Sequence, residues 1–292
     1  SRVMSRPVRI EFPGAHYHVT SKGSREQQVF VDDSDRTAFL NIVESVVAKF
    51  GWLVHSYVLM ESHYHLVVEC PQANLSKGMR QLNGVYTQHY NRRHSQEGPL
   101  FQGRFKSILF EAQGYLLPLC RHVELNPVRV GVSAAPHKYR WSSFKATVGL
   151  VKTPGWLHTE TRLRHFDNSA DSPQRYREYV NAGVGAESPL EKRSAQVLLG
   201  STQFVNEMQP ILQGEKLAKR GPKKVGRRRS LPALFKNIRD KSRAERNELI
   251  CRAHLDHSYT LMEIGSALGL HYTTVSKVIS QQSWRGLQAA DK

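Results

Sequence analysis

A strand-turn-strand pattern early in the chain constrains the fold most. Trp52 to Met60 is a run of large and branched residues, Glu61-Ser62 forms a tight turn, and His63 to Glu69 returns until Pro71 stops it. Two such runs joined by two residues close as a hairpin, and their apolar content buries it. Alternate residues of a strand share a face, so His63 and His65 point the same way. Two imidazoles on one face can hold a divalent metal when a third ligand arrives from elsewhere. The plainer alternative is a pair of partly buried polar residues on a wet sheet face.

The elements around the hairpin complete a small sheet domain. Ala15 to Thr20 reads as a first strand, and its alternating His16 and His18 form a second candidate metal pair. Asp32, Asp33 and Ser34 offer caps for a helix over 35–49, whose apolar residues Phe39, Ile42, Val43, Val46 and Val47 recur at helical spacing; Gly51 ends it. Leu75 to Arg92 is a second helix, with an apolar stripe and the basic residues Lys77 and Arg80. Arg104 to Phe110 reads as another strand, with Arg104 and Lys106 on one face. A third helix over 112–125 contains Tyr115, Arg121 and His122, and Asn126-Pro127 breaks it. The order β-α-β-β-α-β-α with a central hairpin predicts an α+β fold, a ferredoxin-like antiparallel sheet with helices on one face and the other face free for a site.

Charge narrows the partner. The chain of 292 residues has 42 basic and 25 acidic side chains, a net charge of +17, which points to a polyanion, most simply nucleic acid; an anionic membrane surface is the rival. No apolar run is long enough to span a bilayer and none reads as a cleavable secretion signal, so no membrane partner and a cytoplasmic, nucleoid-associated location are expected. Ser1-Arg2-Val3 reads as an addition, which would make Met4 the natural start. Cys70, Cys120 and Cys251 are widely spaced, which suits a reducing compartment and forms no zinc or disulfide pattern.

Tyr115 follows the basic strand. A phenolate is a nucleophile for phosphoryl transfer, but the free phenol, with a pKa of about 10, needs help from a base, a cation or a metal. A metal held by His63 and His65 would draw charge off a phosphate, with Arg104 and Lys106 adding electrostatic stabilisation. The alternative for Tyr115 is an ordinary amphipathic packing residue.

Several fragments together resemble one family: His16-Tyr17-His18-Val19-Thr20-Ser21-Lys22-Gly23, His63-Tyr64-His65, Phe101-Gln102-Gly103-Arg104-Phe105-Lys106, Tyr115-Leu116-Leu117 and Leu125-Asn126-Pro127-Val128-Arg129-Val130-Gly131. Over roughly residues 6–148 the chain resembles the REP-associated tyrosine transposases, relatives of the IS200/IS605-type single-tyrosine HUH transposases. The resemblance implies Mg2+ or Mn2+ held by His63 and His65, with Tyr115 as nucleophile. It also implies cleavage of single-stranded DNA beside a palindromic-repeat hairpin through a 5′-phosphotyrosine link. The family's third ligand, a glutamine, falls on Leu119, which cannot coordinate; His122 and Glu124 are the nearest candidates, with His16 or His18 as others. The resemblance favours a monomer.

Beyond residue 150 the pattern weakens into short helices, over 173–182 and 206–217. Residues 219–229 are almost purely basic, including Lys223, Lys224, Arg227, Arg228 and Arg229, and read as a linker able to contact phosphates. The last 60 residues read as helices over 244–255, 261–268 and from Thr273 or Thr274 to Ile279, with Gly269 at a turn: a helix-turn-helix pattern that resembles the DnaA-like carboxy-terminal domain of bacterial replication initiators. Its last helix would present His271, Tyr272, Thr273, Thr274, Ser276 and Lys277 to flanking duplex DNA. The expected organisation is a nuclease domain over 1–150, a helical extension over 151–218, a linker over 219–230 and a helix-turn-helix domain over 231–292. A non-catalytic repeat-binding regulator and an RNA-binding protein using the open sheet are the alternatives.

Overall fold

The central hairpin forms as the sequence dictates. In this computed structural model, which describes residues 9–24, 27–167, 169–194, 197–212, 230–255, 259, 261–270, 274–275 and 278, strand β1 (Ala15–Lys22) is followed by helix α1 (Asp33–Phe50), the hairpin β2 (Leu53–Leu59) and β3 (His63–Cys70), and helix α2 (Leu75–His94). Strand β4 (Lys106–Phe110), helix α3 (Ala112–Glu124) and the two-residue β5 (Leu198–Leu199) complete the sheet and its cover. The spatial order is β2-β3-β1-β4-β5, whose first four strands are antiparallel neighbours with the ferredoxin-like arrangement. The chain divides into two compact units, Ser1–Glu215 and Lys216–Lys292.

Local chemistry explains the boundaries. The Asp32 side chain accepts the Asp35 N–H at 3.1 Å and caps α1. Gly51 closes that helix at φ 68°, a left-handed position that glycine adopts without Cβ strain. One face of the sheet receives α1 and α2: Phe39 packs its ring 4.6 Å from that of Tyr64, whose hydroxyl donates to Asn83 at 2.5 Å. Gly78 of α2 lies under Trp52, where a Cβ would fall 2.1 Å from the indole.

Three expectations need correction. The opposite sheet face is not free: Leu116, Leu119, Cys120 and Val123 of α3 pack on Val58, Val67 and Phe110 in a buried cluster. The largely antiparallel sheet is as expected, with β5 adding a short parallel pairing at the β4 edge. Strand β4 begins at Lys106, and the helix expected over 206–217 occupies Thr202–Leu212 instead, the residues after it lying outside the described set.

Past α3 a buried ion pair organises the chain. Glu124 and Arg162 meet at 2.8 Å with both side chains fully buried. Ser143 (2.6 Å) and Tyr176 (2.8 Å) donate to the same carboxylate, and Arg162 donates to Tyr176 at 2.9 Å and Thr147 at 2.8 Å. This network ties the helices Glu160–Arg164 and Ser172–Asn181 to the end of α3.

The second unit has its own core, Phe235, Ile250, Cys251, Ala253, Ile264, Val275 and Val278. Its helix Arg243–Leu255 starts at a capping box, with Ser242 N–H donating to Glu245 (2.9 Å) and Glu245 N–H to the Ser242 hydroxyl (3.3 Å). The helix Leu261–Leu268 ends at Gly269, φ 65°. Thr274, Val275 and Val278 are helical. Among the described residues no helix is long and apolar enough to cross a membrane.

Candidate active site

The site lies on the sheet face beneath α3. β1 and β3 run antiparallel with Thr20 opposite His65 and Lys22 opposite His63. That register brings His18 of β1 beside His65: His18 Nε2 lies 2.9 Å from His65 Nδ1, and the Thr20 hydroxyl lies 3.0 Å from the same nitrogen. The rings of His63 and His65 are 5.1 Å apart. Burial lowers the pKa of all these imidazoles, that of His18 to about 4 and that of His65 well below its ordinary value, with the neighbouring histidines adding to the effect at His65. They are therefore neutral at pH 7 and keep lone pairs. In the tautomer with the His65 proton on Nδ1, facing His18 Nε2 and the Thr20 hydroxyl, Nε2 is the coordinating nitrogen, the usual division of labour in a metal-binding imidazole.

Tyr115 begins the regular part of α3. Gln113 and Gly114 leave helical geometry, Gly114 at φ 92°, so the helix restarts at the tyrosine. That restart also explains Pro118, which falls in the first turn where its missing N–H has no partner to lose. Tyr115 is half-buried against the α3 cluster. Tyr64 and Tyr86, by contrast, are fully buried, and burial raises the pKa of both phenols.

A cleft of about 560 Å³ opens beside the histidines. His18, Thr20 and His65 line it together with Arg9, Arg104, Lys106 and Arg193. Ile108 and Leu190 of its wall pack on the same cluster as Tyr115. Thr20, Arg9 and Arg193 are the additions to the expected set, in which His18 already stood as a candidate ligand. No spacing pattern in the sequence marks these three.

Other expected residues land elsewhere. His122 lies on the right helical face, its ring 6.3 Å from that of His18. Its Nδ1, however, accepts from the Arg129 guanidinium and lies 3.2 Å from the Ser188 hydroxyl. Burial, with Arg129 and His18, lowers its pKa to about 3. A neutral ring that accepts at Nδ1 has its proton on Nε2 and no lone pair left for a metal. Glu124 is consumed by Arg162, and Leu119 is buried core. The Arg121 guanidinium stacks on Tyr179 at 4.4 Å. Lys77 and Arg80 are exposed on α2, across the sheet from the histidines. Thr274 is exposed, whereas Lys223, Lys224, Arg227, Arg228, Arg229, His271, Tyr272, Thr273, Ser276 and Lys277 lie outside the described residues.

A second histidine group occupies the far end of the same face. His16 Nε2 is 3.3 Å and His55 Nε2 is 3.7 Å from Glu69 Oε2. Among the described residues these three form the one group of metal-ligating side chains whose donor atoms all lie within 4.8 Å of one another.

The sheet thus carries paired histidines on β1 and β3, and a tyrosine stands at the start of the covering helix. Residues 12–124 match the family described as "Transposase IS200 like". A solved REP-associated tyrosine transposase bound to a REP hairpin is similar at 16% identity, covering 50% of this chain and 86% of that one, with a TM-score of 0.44. A candidate transposase from Deinococcus radiodurans is similar at 15% identity, covering 42% and 97%, with a TM-score of 0.30. Neither likeness is close enough to bear on the chemistry. No curated protein matches the chain.

Proposed function

We propose that the first unit is a metal-dependent single-stranded DNA endonuclease and strand transferase that acts at hairpin-forming palindromic repeats. The observation behind this reading is the set of neutral imidazoles His18 and His65 at the wall of a basic cleft, whose Ile108 and Leu190 pack on the same cluster as the half-buried Tyr115. His63 and His65 would hold the ion, and the shell would be completed by oxygens, including those of DNA. A bound Mg2+ or Mn2+ would supply positive charge at the scissile phosphate.

The chain's own residues do the rest. The Tyr115 hydroxyl oxygen attacks phosphorus, the bond to the 3′ oxygen breaks, and the products are a 5′-phosphotyrosine and a free 3′-OH. Attack by a 3′-OH reverses the step, rejoins a strand and releases Tyr115. Arg104 and Lys106 offset the phosphate charge. His18 and Thr20 orient His65. The basic segment over 219–229 adds phosphate contacts, and the second unit reads flanking duplex through Thr274 and its neighbours as a helix-turn-helix. The protein works as a monomer.

The test is incubation of the full chain with a labelled single-stranded REP-type hairpin, the ligand of the solved neighbour. With Mn2+ a denaturing gel is expected to show a slow protein–DNA band and a shortened strand. With EDTA neither is expected. Hairpin binding with no cleavage in any metal would favour the regulator reading.

A further inference from the structure

The group His16, His55 and Glu69 is not used by the proposed chemistry. It sits where β1, β2 and β3 run side by side, with His16 opposite Glu69 in the register. His65 and Glu69 are four residues apart on β3, about 13 Å, so one ion cannot serve both groups. The strand register of β2 shifts between Val54 and Ser56, and His55 is the residue in the bulge. A bulge re-aims a side chain; here it stacks the His55 ring on that of His16, with centroids 5.9 Å apart.

Three features argue that this group is built for a cation. His55 is fully buried, yet neither of its ring nitrogens has a hydrogen-bond partner. Leaving such nitrogens unpaired is costly unless something else occupies them. The second feature is Glu69, which is mostly buried and has no lysine or arginine partner among the described residues. Its only described ionic neighbours are the two imidazoles, whose nitrogens face the same carboxylate oxygen. The third is spacing. Zinc bonds of about 2.0–2.2 Å in a tetrahedron place neighbouring ligand atoms about 3.4 Å apart. The observed 3.3 and 3.7 Å bracket that value.

We propose that His16, His55 and Glu69 form a second metal site that binds one Zn2+, separate from the site of strand cleavage. Two imidazoles and one carboxylate suit zinc better than magnesium, which prefers oxygen ligands throughout. His16 and Glu69 are partly exposed, with side chains 17% and 24% accessible, which gives the ion an entry path and leaves the fourth position to water. The ion joins β1, β2 and β3 and stabilises the folded sheet. His158 caps the group, its ring 5.4 Å from that of His55.

The test uses the full chain stripped with chelator and titrated with ZnCl2, with bound zinc measured after gel filtration and melting temperature followed in parallel. The wild type is expected to hold zinc at the second site and to gain several degrees in melting temperature. Glu69→Gln keeps the shape but loses the anion; it is expected to hold one zinc fewer and to lose most of the gain. His16→Gln, at a partly exposed position, repeats the test should Glu69→Gln fail to fold. The double variant His63→Ala/His65→Ala is expected to keep one zinc and the thermal gain, whether or not the chain cleaves DNA. Wild-type zinc content and thermal gain in a folded Glu69→Gln or His16→Gln, or loss of all zinc in the double variant, would overturn the proposal.

Discussion

Two buried polar groups meet the same helix, and they follow opposite rules. At the end of α3, Glu124 is paired with Arg162 and accepts from Ser143 and Tyr176, so the carboxylate is fully engaged. Under the rest of the helix, His18 leaves Nδ1 buried without a partner, and His65 makes its contacts through Nδ1 alone among the hydrogen bonds described. A satisfied cluster locks elements together. An incompletely satisfied one leaves a ring nitrogen of His65 open to a ligand, and the unpaired His18 Nδ1 lowers stability. Sequence spacing does not separate the two kinds, since Glu124, which is engaged by Arg162, and His18, which leaves a ring nitrogen unpaired, both counted among the candidate ligands.

The comparison predicts opposite phenotypes. Glu124→Ala leaves the Arg162 charge buried and unpaired, and is expected to cost about 3–5 kcal/mol of stability; urea unfolding measures it, and a loss below about 1 kcal/mol would mean that the network is not what holds the helical extension. His65→Ala is expected to do the reverse. Cleavage falls at least about a hundredfold, which is about 2.7 kcal/mol in the barrier, while the unfolding midpoint barely moves. His18→Ala should lower cleavage less, and raised Mn2+ should partly restore it, because His18 orients a ligand rather than being one.

Smaller effects sharpen the picture. Thr274→Ala with Lys277→Ala is expected to leave cutting of a bare hairpin unchanged and to lower preference for natural flanking duplex by about 1–3 kcal/mol. Competitive binding to flanked, unflanked and scrambled-flank DNA reads this; equal losses on all three would show that this segment does not read sequence. Gly114→Ala places a Cβ at φ 92° and is expected to cost about 1–2 kcal/mol. Its cleavage rate should fall more than its stability implies, because the bend sets where Tyr115 begins the helix. A rate that tracks stability alone would make the bend merely structural.

Much of this was legible in the residues. The hairpin, its two-residue turn, the caps of α1 and the His16/His18 and His63/His65 alternations all rest on local spacing, and local spacing can be read. What was lost depends on tertiary contact. The α3 stripe predicts a helix but not which sheet face it covers, so the face expected to be open proved to be roofed. β5 has only two residues and exists because β4 offers an edge. The bulge at His55 inserts one residue into the β2 count and brings that ring to His16, which no alternation rule anticipates. The helix expected over 244–255 is found at Arg243–Leu255, within a residue of its expected start. The loss of His122 as a ligand turns on one contact, from Arg129, seven residues away.

The central claim is that Tyr115 is the nucleophile, and the most direct measurement is the site of covalent attachment. The wild-type chain, reacted with single-stranded hairpin DNA and Mn2+, is digested with trypsin and nuclease, and the modified peptide is sequenced by mass spectrometry. The account predicts a nucleotide phosphate on Tyr115, absent without metal, and no adduct from Tyr115→Phe although that variant still binds the hairpin. An adduct on any other residue, or an undiminished adduct from Tyr115→Phe, would contradict it.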